Sequence, residues 1–174
     1  MILSESILTR LRYQHKTIGE LIDGIPEDQI RFRPDPAKWS VFENIAHLAC
    51  YQPVFLDRID KILAGSSPSF TRYTAEQDPS FPTYLEMPLS GLLADLEKKR
   101  HRILQQLSAM GERQLALTGI HPRFGLLTLT SWTEFFLLHE AHHLYTIFIL
   151  VRVTGSGNAA GSGNPPSHST PGQR

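Results

Sequence analysis

Apolar residues recur along most of this chain at intervals of three and four residues, the spacing that places side chains on one face of an α-helix. Four segments show this pattern, and no segment shows the sustained alternation of apolar and polar residues that is typical of strands. The pattern therefore predicts an all-α protein without strands. Four amphipathic helices of this length are expected to pack as a four-helix bundle.

The predicted helices have recognisable ends. They cover residues 4–23, 40 to about 64, 90–110 and 131–153. The first stops where glycine and proline follow in the stretch DGIPED. The second and the fourth begin with a serine followed three residues later by a glutamate, Ser40 with Glu43 and Ser131 with Glu134. This spacing predicts a capping box, in which each residue satisfies a backbone N–H of the other at the start of the helix.

Two connections, residues 64–88 and 116–130, are longer than helix–helix loops usually are. A long connection allows the next helix to start from either end of the bundle, so consecutive helices need not alternate in direction. Residues 154–174 consist largely of Gly, Ser, Pro and Asn and have no apolar periodicity. We therefore predict one domain, residues 1–153, followed by a flexible tail.

Charge and cysteine content narrow the class of protein. The 174 residues include 17 basic and 17 acidic side chains, and no basic stripe of the kind that nucleic acids require stands out. The single cysteine, Cys50, rules out an intramolecular disulfide, and the first ten residues lack the pattern of a signal peptide. The longest apolar run, residues 147–151, is too short to span a membrane. We expect a cytoplasmic protein that binds neither nucleic acid nor membrane.

The stretch HEAHH, residues 139–143, concentrates metal-binding side chains in the middle of the fourth predicted helix. His139 and His143 lie about 40° apart around the helix axis, whereas Glu140 and His142 flank them on opposite sides. His139 and His143 therefore form the natural ligand pair. A stable site needs at least a third protein ligand.

The same stretch satisfies the zinc-protease pattern H-E-x-x-H, in which the glutamate acts as general base. In one large group of such proteases a third histidine follows, but Thr146 and Ile149 stand at the corresponding positions here. No glutamate follows Glu140 in the chain. A protease is therefore the least favoured interpretation.

His47, in the second predicted helix, is the better candidate for the third ligand. The helical pattern places it at the edge of the apolar face, on a rim shared with Asn44, Tyr51 and Arg58. Such a rim can face a neighbouring helix across a groove that is open to water. Pro53, within the same helix, removes a backbone hydrogen bond and is expected to bend the helix or leave an acceptor free near the site.

At these residues the sequence resembles the DinB-like (DinB/YfiT-like) family of four-helix metalloproteins. The similarity lies in RPDPAKWSVFENIAHLACYQ and FFLLHEAHHLYTI, with HPRFGLLTLTSWTEFFLLHE as a further likeness, and it extends over about residues 5–153. The resemblance implies an up-down-down-up bundle and a divalent metal, zinc or nickel, held by His47, His139 and His143. Thr146 departs from the pattern, because the family usually has glutamine there.

The resemblance also implies a function. Family members include enzymes that transfer a low-molecular-weight thiol such as bacillithiol to electrophiles, and a mycothiol-dependent isomerase. We therefore expect a metal-dependent enzyme acting on a small molecule. Glu140 is a candidate catalytic base, with hydrogen bonding to a ligand imidazole or a solvated position as the alternatives. The competing interpretation is a non-catalytic metal-binding or stress-response module, with a homodimer as one candidate assembly.

Overall fold

The computed structural model of the protein describes residues 3–159. Its helices are α1 (Glu5–Tyr13), α2 (Thr17–Ile22), α3 (Glu27–Arg31), α4 (Val41–Leu63), α5 (Phe81–Glu86), α6 (Leu89–Ser108), α7 (Glu112–Leu115) and α8 (Leu129–Ala159). The four long elements, α1 with α2, α4, α6 and α8, form the predicted four-helix bundle. Helix α8 continues past the predicted end at residue 153, and the rest of the predicted tail, residues 160–174, lies outside the described residues.

Side-chain contacts give the direction of each helix in the bundle. The pairs are Arg10–Glu134 and Gln14–Glu140 between the first helix and α8, Asn44–His143 and Phe55–Phe136 between α4 and α8, and Gln52–Arg100 and Asp60–Gln106 between α4 and α6. Residue numbers rise together in the first and third sets and run oppositely in the second. The first helix is thus parallel to α8, and α4 is parallel to α6 but antiparallel to α8. This is the predicted up-down-down-up order.

The start of α4 is held as the sequence predicts. The backbone N–H of Glu43 donates to Ser40 Oγ at 3.1 Å, and the backbone N–H of Ser40 donates to Glu43 Oε2 at 2.8 Å. The helix then continues through Pro53 as one element of 23 residues. The cap and the surrounding packing therefore hold α4 together despite the hydrogen bond that proline cannot make.

The capping box predicted for the last helix is wrong. Helix α8 already begins at Leu129, and the backbone N–H of Ser131 donates to Thr128 Oγ1 at 3.2 Å. Glu134 instead accepts two hydrogen bonds from Arg10, at 2.8 and 2.7 Å. Hydroxyl residues occupy positions 128, 130 and 131, and spacing alone does not distinguish which of them lies at the start of the helix.

The first helix is interrupted rather than continuous. Ser4 caps α1 by accepting from the backbone N–H of Ile7, but residues 14–16 form a 3-10 turn before α2 begins. At this turn His15 is buried, and Gln14 donates to the backbone carbonyl of Leu137 on α8 at 2.9 Å. The interruption therefore brings two polar side chains toward the bundle interior.

The expectation that the protein lacks strands is also wrong. Strands β1 (Thr118–His121) and β2 (Gly125–Thr128) form an antiparallel hairpin before α8. Four residues per strand are too few for alternation to stand out in the sequence. Trp132 fixes the hairpin to the bundle, because its indole N–H donates to the carbonyl of Gly119 at 3.2 Å and its side chain is completely buried.

The core consists of two apolar clusters along the bundle. One centres on Ile18, Ile45, Leu92 and Ile147, and the other on Leu11, Phe55, Ile103 and Phe136. Each fully buried side chain of this kind stabilises the fold by about 1.5–3 kcal/mol. Across residues 3–159 no helix is both long and apolar enough to cross a membrane.

Candidate metal centre

Three imidazoles from two antiparallel helices meet at one point. His47 lies on α4, and His139 and His143 lie one turn apart on α8. One ring nitrogen of each histidine lies within 4.8 Å of the others, and Nε2 of His47 is 3.0 Å from Nε2 of His139. Two nitrogens bound to a tetrahedral zinc at 2.0–2.1 Å are about 3.3 Å apart. The spacing of this cluster therefore fits a single divalent ion.

The protonation state of the cluster also fits metal binding. Burial, followed by the charge of neighbouring imidazoles, lowers the pKa of His47, His139 and His143 to about 3 each. All three rings are therefore neutral at pH 7. The neutral ring carries the lone pair that a metal needs, so no proton has to be displaced when an ion binds at this pH.

Asn44 orients the ring of His143. The amide Nδ2 of Asn44 donates to the carbonyl of Ser40 at 2.8 Å, which leaves Oδ1 facing Nδ1 of His143 at 2.8 Å. Nδ1 of His143 therefore carries the proton, and the lone pair lies on Nε2. Within the described part of the chain, the buried Nδ1 atoms of His47 and His139 have no hydrogen-bond partner.

Aromatic side chains surround the imidazoles. Trp39 lies 5.1 Å from the ring of His47, and Tyr51 lies 4.7 Å from that of His139. The hydroxyl of Tyr51 accepts a hydrogen bond of 2.7 Å from Arg58, and burial raises the pKa of Tyr51. The rim that the sequence predicts, with Asn44, Tyr51 and Arg58 beside His47, is therefore present.

A cavity of about 510 Å³ opens next to His47 and His139. The other residues that line it are Tyr51, Arg58, Thr71, Arg72, Tyr73, His121, Pro122, Arg123, Phe124 and Phe135. Most of these belong to the two long connections, and the sequence pattern did not single them out as site residues. The basic and aromatic residues in both connections are the only signal of their role, because loops carry no periodicity.

The carboxylate of Glu140 contacts Arg100 and Gln14 and not the three imidazoles. Its side chain is only 1% exposed, which excludes the solvated alternative. Oε1 accepts from Arg100 at 3.1 Å and from Gln14 at 3.0 Å, and Oε2 accepts from the other terminal nitrogen of Arg100. Among the described hydrogen bonds none joins this carboxylate to the three imidazoles. The contacts therefore give Glu140 a structural partner and offer no support for its role as a base.

The sequence profile of the DinB superfamily matches residues 10–147. This chain belongs to the DinB superfamily. The resemblance noted at the two histidine segments is thereby confirmed. No curated protein matches the chain.

Two solved structures share the fold of this DinB superfamily protein. YfiT from Bacillus subtilis, described as a probable metal-dependent hydrolase with an unusual four-helix bundle topology, is 19% identical with a TM-score of 0.73, and the match covers 87% of both chains. A DinB-like protein of Bacillus subtilis, YjoA, is 18% identical with a TM-score of 0.57 over 87% of this chain and 93% of its own. At such identities the likeness extends to the fold alone.

Three further residues considered from the sequence lie outside the cluster in this DinB superfamily protein. His142 is exposed, and Thr146, where the resemblance leads us to expect glutamine, donates to the carbonyl of His142 at 3.1 Å. Cys50 is buried, and it accepts a hydrogen bond of 3.3 Å from the hydroxyl of Tyr73. Burial raises the pKa of its thiol to about 11, so it is protonated at neutral pH.

Proposed function

We propose that this DinB superfamily protein is a metal-dependent enzyme in which His47, His139 and His143 hold one divalent ion, zinc or nickel. The observation that carries the proposal is the convergence of three imidazole nitrogens within 4.8 Å of one another beside a cavity of about 510 Å³. Imidazole suits both metals, and three protein ligands leave a position for a reacting molecule. The description of YfiT as a probable metal-dependent hydrolase supports the same class of chemistry.

The ion would supply Lewis acidity and would lower the pKa of a water or thiol that reaches it. The chain supplies the positioning. Asn44 holds the tautomer of His143 that presents Nε2. The hydroxyl of Tyr51 accepts from Arg58, so its own proton remains available to a molecule in the cavity.

The reaction that we favour is the transfer of a low-molecular-weight thiol to an electrophilic carbon. The sulfur–carbon bond forms as the bond to the leaving group breaks, and the thiol proton departs with that group. No carboxylate is among the residues that line the cavity in the described part of the chain. Such a site suits a thiol, whose ordinary pKa of about 8.5 makes it far easier to deprotonate than water. The family resemblance points to the same reaction.

The test compares matched variants of the full chain. Wild-type protein loaded with zinc or nickel is mixed with a panel of small thiols and an alkylating electrophile, and thioether formation is followed together with metal content. We expect His139→Ala to lose both metal and thioether formation. His142→Ala, which alters an exposed histidine of the same helix, is expected to retain both. Retention of metal in His139→Ala would show that the ligand set is wrong.

Two other outcomes would replace the proposal. In the first, each ligand substitution removes the metal, but the wild-type protein consumes no thiol or electrophile. This result would establish a non-catalytic metal-binding module instead. Peptide cleavage that disappears in Glu140→Gln would restore the zinc-protease interpretation. The buried contacts of Glu140 with Arg100 and Gln14 argue against that second outcome.

A further inference from the structure

The cavity beside the imidazoles has a strongly basic wall. Arg58, Arg72 and Arg123 line it together with His121, and neither Asp nor Glu is among the described residues of its lining. The whole chain, by contrast, has equal numbers of basic and acidic residues. The positive charge is therefore a local property of this cavity and not a consequence of composition.

Arg58 lies in this wall without a carboxylate partner among the described residues, and its guanidinium faces the aromatic rings of Phe70 and Trp132 at 5.4 and 5.2 Å. The residue is 6% exposed, and its guanidinium donates to the Tyr51 hydroxyl and to the carbonyl of Thr71, both neutral acceptors. Among the residues described, none forms a salt bridge with it. Arg100 is similarly buried but pairs with Glu140. A buried cation without an anion is costly, and an anionic ligand in the adjoining cavity would reduce that cost.

The hairpin contributes the guanidinium of Arg123 and the imidazole of His121 to this wall. The backbone N–H groups of Arg123 and Phe124 donate to Nδ1 of His121 at 3.1 and 3.2 Å. The proton of the neutral ring is therefore on Nε2, so this ring can donate a hydrogen bond. Burial and then the charges of Arg58 and Arg123 lower the pKa of His121, which indicates that these groups act on a common region.

One part of the wall is apolar. Phe124 and Phe135 line the cavity with their ring centres 5.8 Å apart, and Phe124 is 53% exposed. Arg58 and Arg72 are less specific to this cavity, because both also line a neighbouring one that contains Asp57 and Asp78. Of the three arginines that line this cavity, Arg123 is the one that does not also line the neighbouring cavity.

We propose that the cavity selects a substrate that carries a carboxylate or a similar oxyanion beside an apolar body, and that Arg123 on the hairpin sets this preference. The inference rests on the proposed function in one respect, since it identifies the cavity as the substrate site of the metal centre. A guanidinium recognises an oxyanion through charge-assisted hydrogen bonds, whereas the phenylalanine rings favour an apolar group next to it.

The test measures the binding of benzoate and of benzamide, its neutral analogue, to metal-free full-length protein by calorimetry or NMR titration. We expect benzoate to bind about tenfold more tightly, because a charge-assisted contact is lost with the neutral analogue. Arg123→Gln should remove most of the difference. Arg102→Gln, an equal change of charge at an exposed position on α6, should preserve it. Equal binding of the two compounds, absence of benzoate binding, or equal effects of both substitutions would overturn the proposal.

The use of metal-free protein separates this inference from the proposed function. If the protein binds zinc but does not prefer benzoate to benzamide, the basic-cavity proposal is contradicted and the proposed metal centre still stands. A preference for benzoate in a protein that binds no zinc would instead contradict the metal centre and leave the anion preference of the cavity intact.

Discussion

Nδ1 of His143 on α8 lies 2.8 Å from Oδ1 of Asn44 on α4, so one of the proposed metal ligands is oriented by a residue of the opposite helix. Support of this kind fixes the ring and raises its basicity as a ligand. Asn44→Ala should weaken zinc binding by about 10–100-fold because the ring loses this acceptor. Competition with a chromophoric chelator measures the change. Asn44→Asp keeps an acceptor and should retain most of the affinity; an equal loss in both variants would contradict this role.

The ion pair of Glu140 and Arg100 should contribute stability and not metal affinity. Both side chains are 1% exposed, so Glu140→Gln leaves a buried cation without its partner. We expect a loss of about 3–5 kcal/mol in the free energy of unfolding, with unchanged zinc stoichiometry in the folded protein. Urea unfolding and metal analysis provide the two measurements.

The matched control for that prediction is Glu134→Gln. Glu134 pairs with Arg10, but these side chains are 40% and 28% exposed. Loss of this partly solvated pair should cost less than about 1 kcal/mol. Similar costs for the two substitutions, or loss of zinc in Glu140→Gln alone, would show that the buried pair has another role.

His15 should make stability fall in mild acid. Burial, and then the charges of Arg100 and Lys16, lower the pKa of His15 to about 4, whereas the unfolded chain has the ordinary value of about 6.5. Between these values the unfolded state binds more protons, so stability decreases as the pH falls from 7 to 5. Urea unfolding of metal-free protein should show a smaller decrease for His15→Met. An unchanged pH dependence would contradict the prediction.

The hairpin packs closely against the bundle at Gly119, where a side chain would not fit. A Cβ atom at this position would lie 2.8 Å from the ring of Phe70 and 3.0 Å from Ile62. Gly119→Ala should therefore destabilise the protein by about 1–3 kcal/mol, which thermal unfolding can measure. Gly19→Ala, at an exposed position of α2 with nothing within 4 Å, should be neutral or stabilising by up to about 1 kcal/mol. Equal effects would exclude close packing of the hairpin as the cause.

The helices and the imidazole cluster could be predicted from the sequence because both follow from helical periodicity. Spacing by four places His139 and His143 on one face, and the apolar stripe of α4 places His47 on the adjoining rim. The buried polar network of Gln52, Arg100 and Glu140 is harder to recognise in the sequence than the apolar stripes. Gln52, Arg100 and Glu140 each interrupt an apolar stripe and are each 1% exposed. Periodicity indicates such interruptions, but it does not show which of them face one another.

The cavity could not be predicted in the same way. Tyr73 comes from the first long connection, and His121 and Arg123 come from the second, where they belong to a hairpin whose strands have four residues each. The sequence also predicts the start of α8 at Ser131, whereas the helix begins at Leu129. Thr128, and not Ser131, accepts the hydrogen bond at the start of the helix. Tertiary contacts such as that of Trp132 with Gly119 decide these positions, and a local pattern does not contain them.

The most direct test of the central claim is X-ray absorption spectroscopy of the zinc-loaded full-length protein. We predict three imidazole nitrogens at about 2.0–2.1 Å from the metal, with one or more oxygen ligands completing the shell. His139→Ala should reduce the imidazole signal or abolish binding, while His142→Ala should leave the spectrum unchanged. A sulfur ligand at about 2.3 Å, or a spectrum of the His139→Ala protein identical to that of the wild type, would contradict the three-histidine centre.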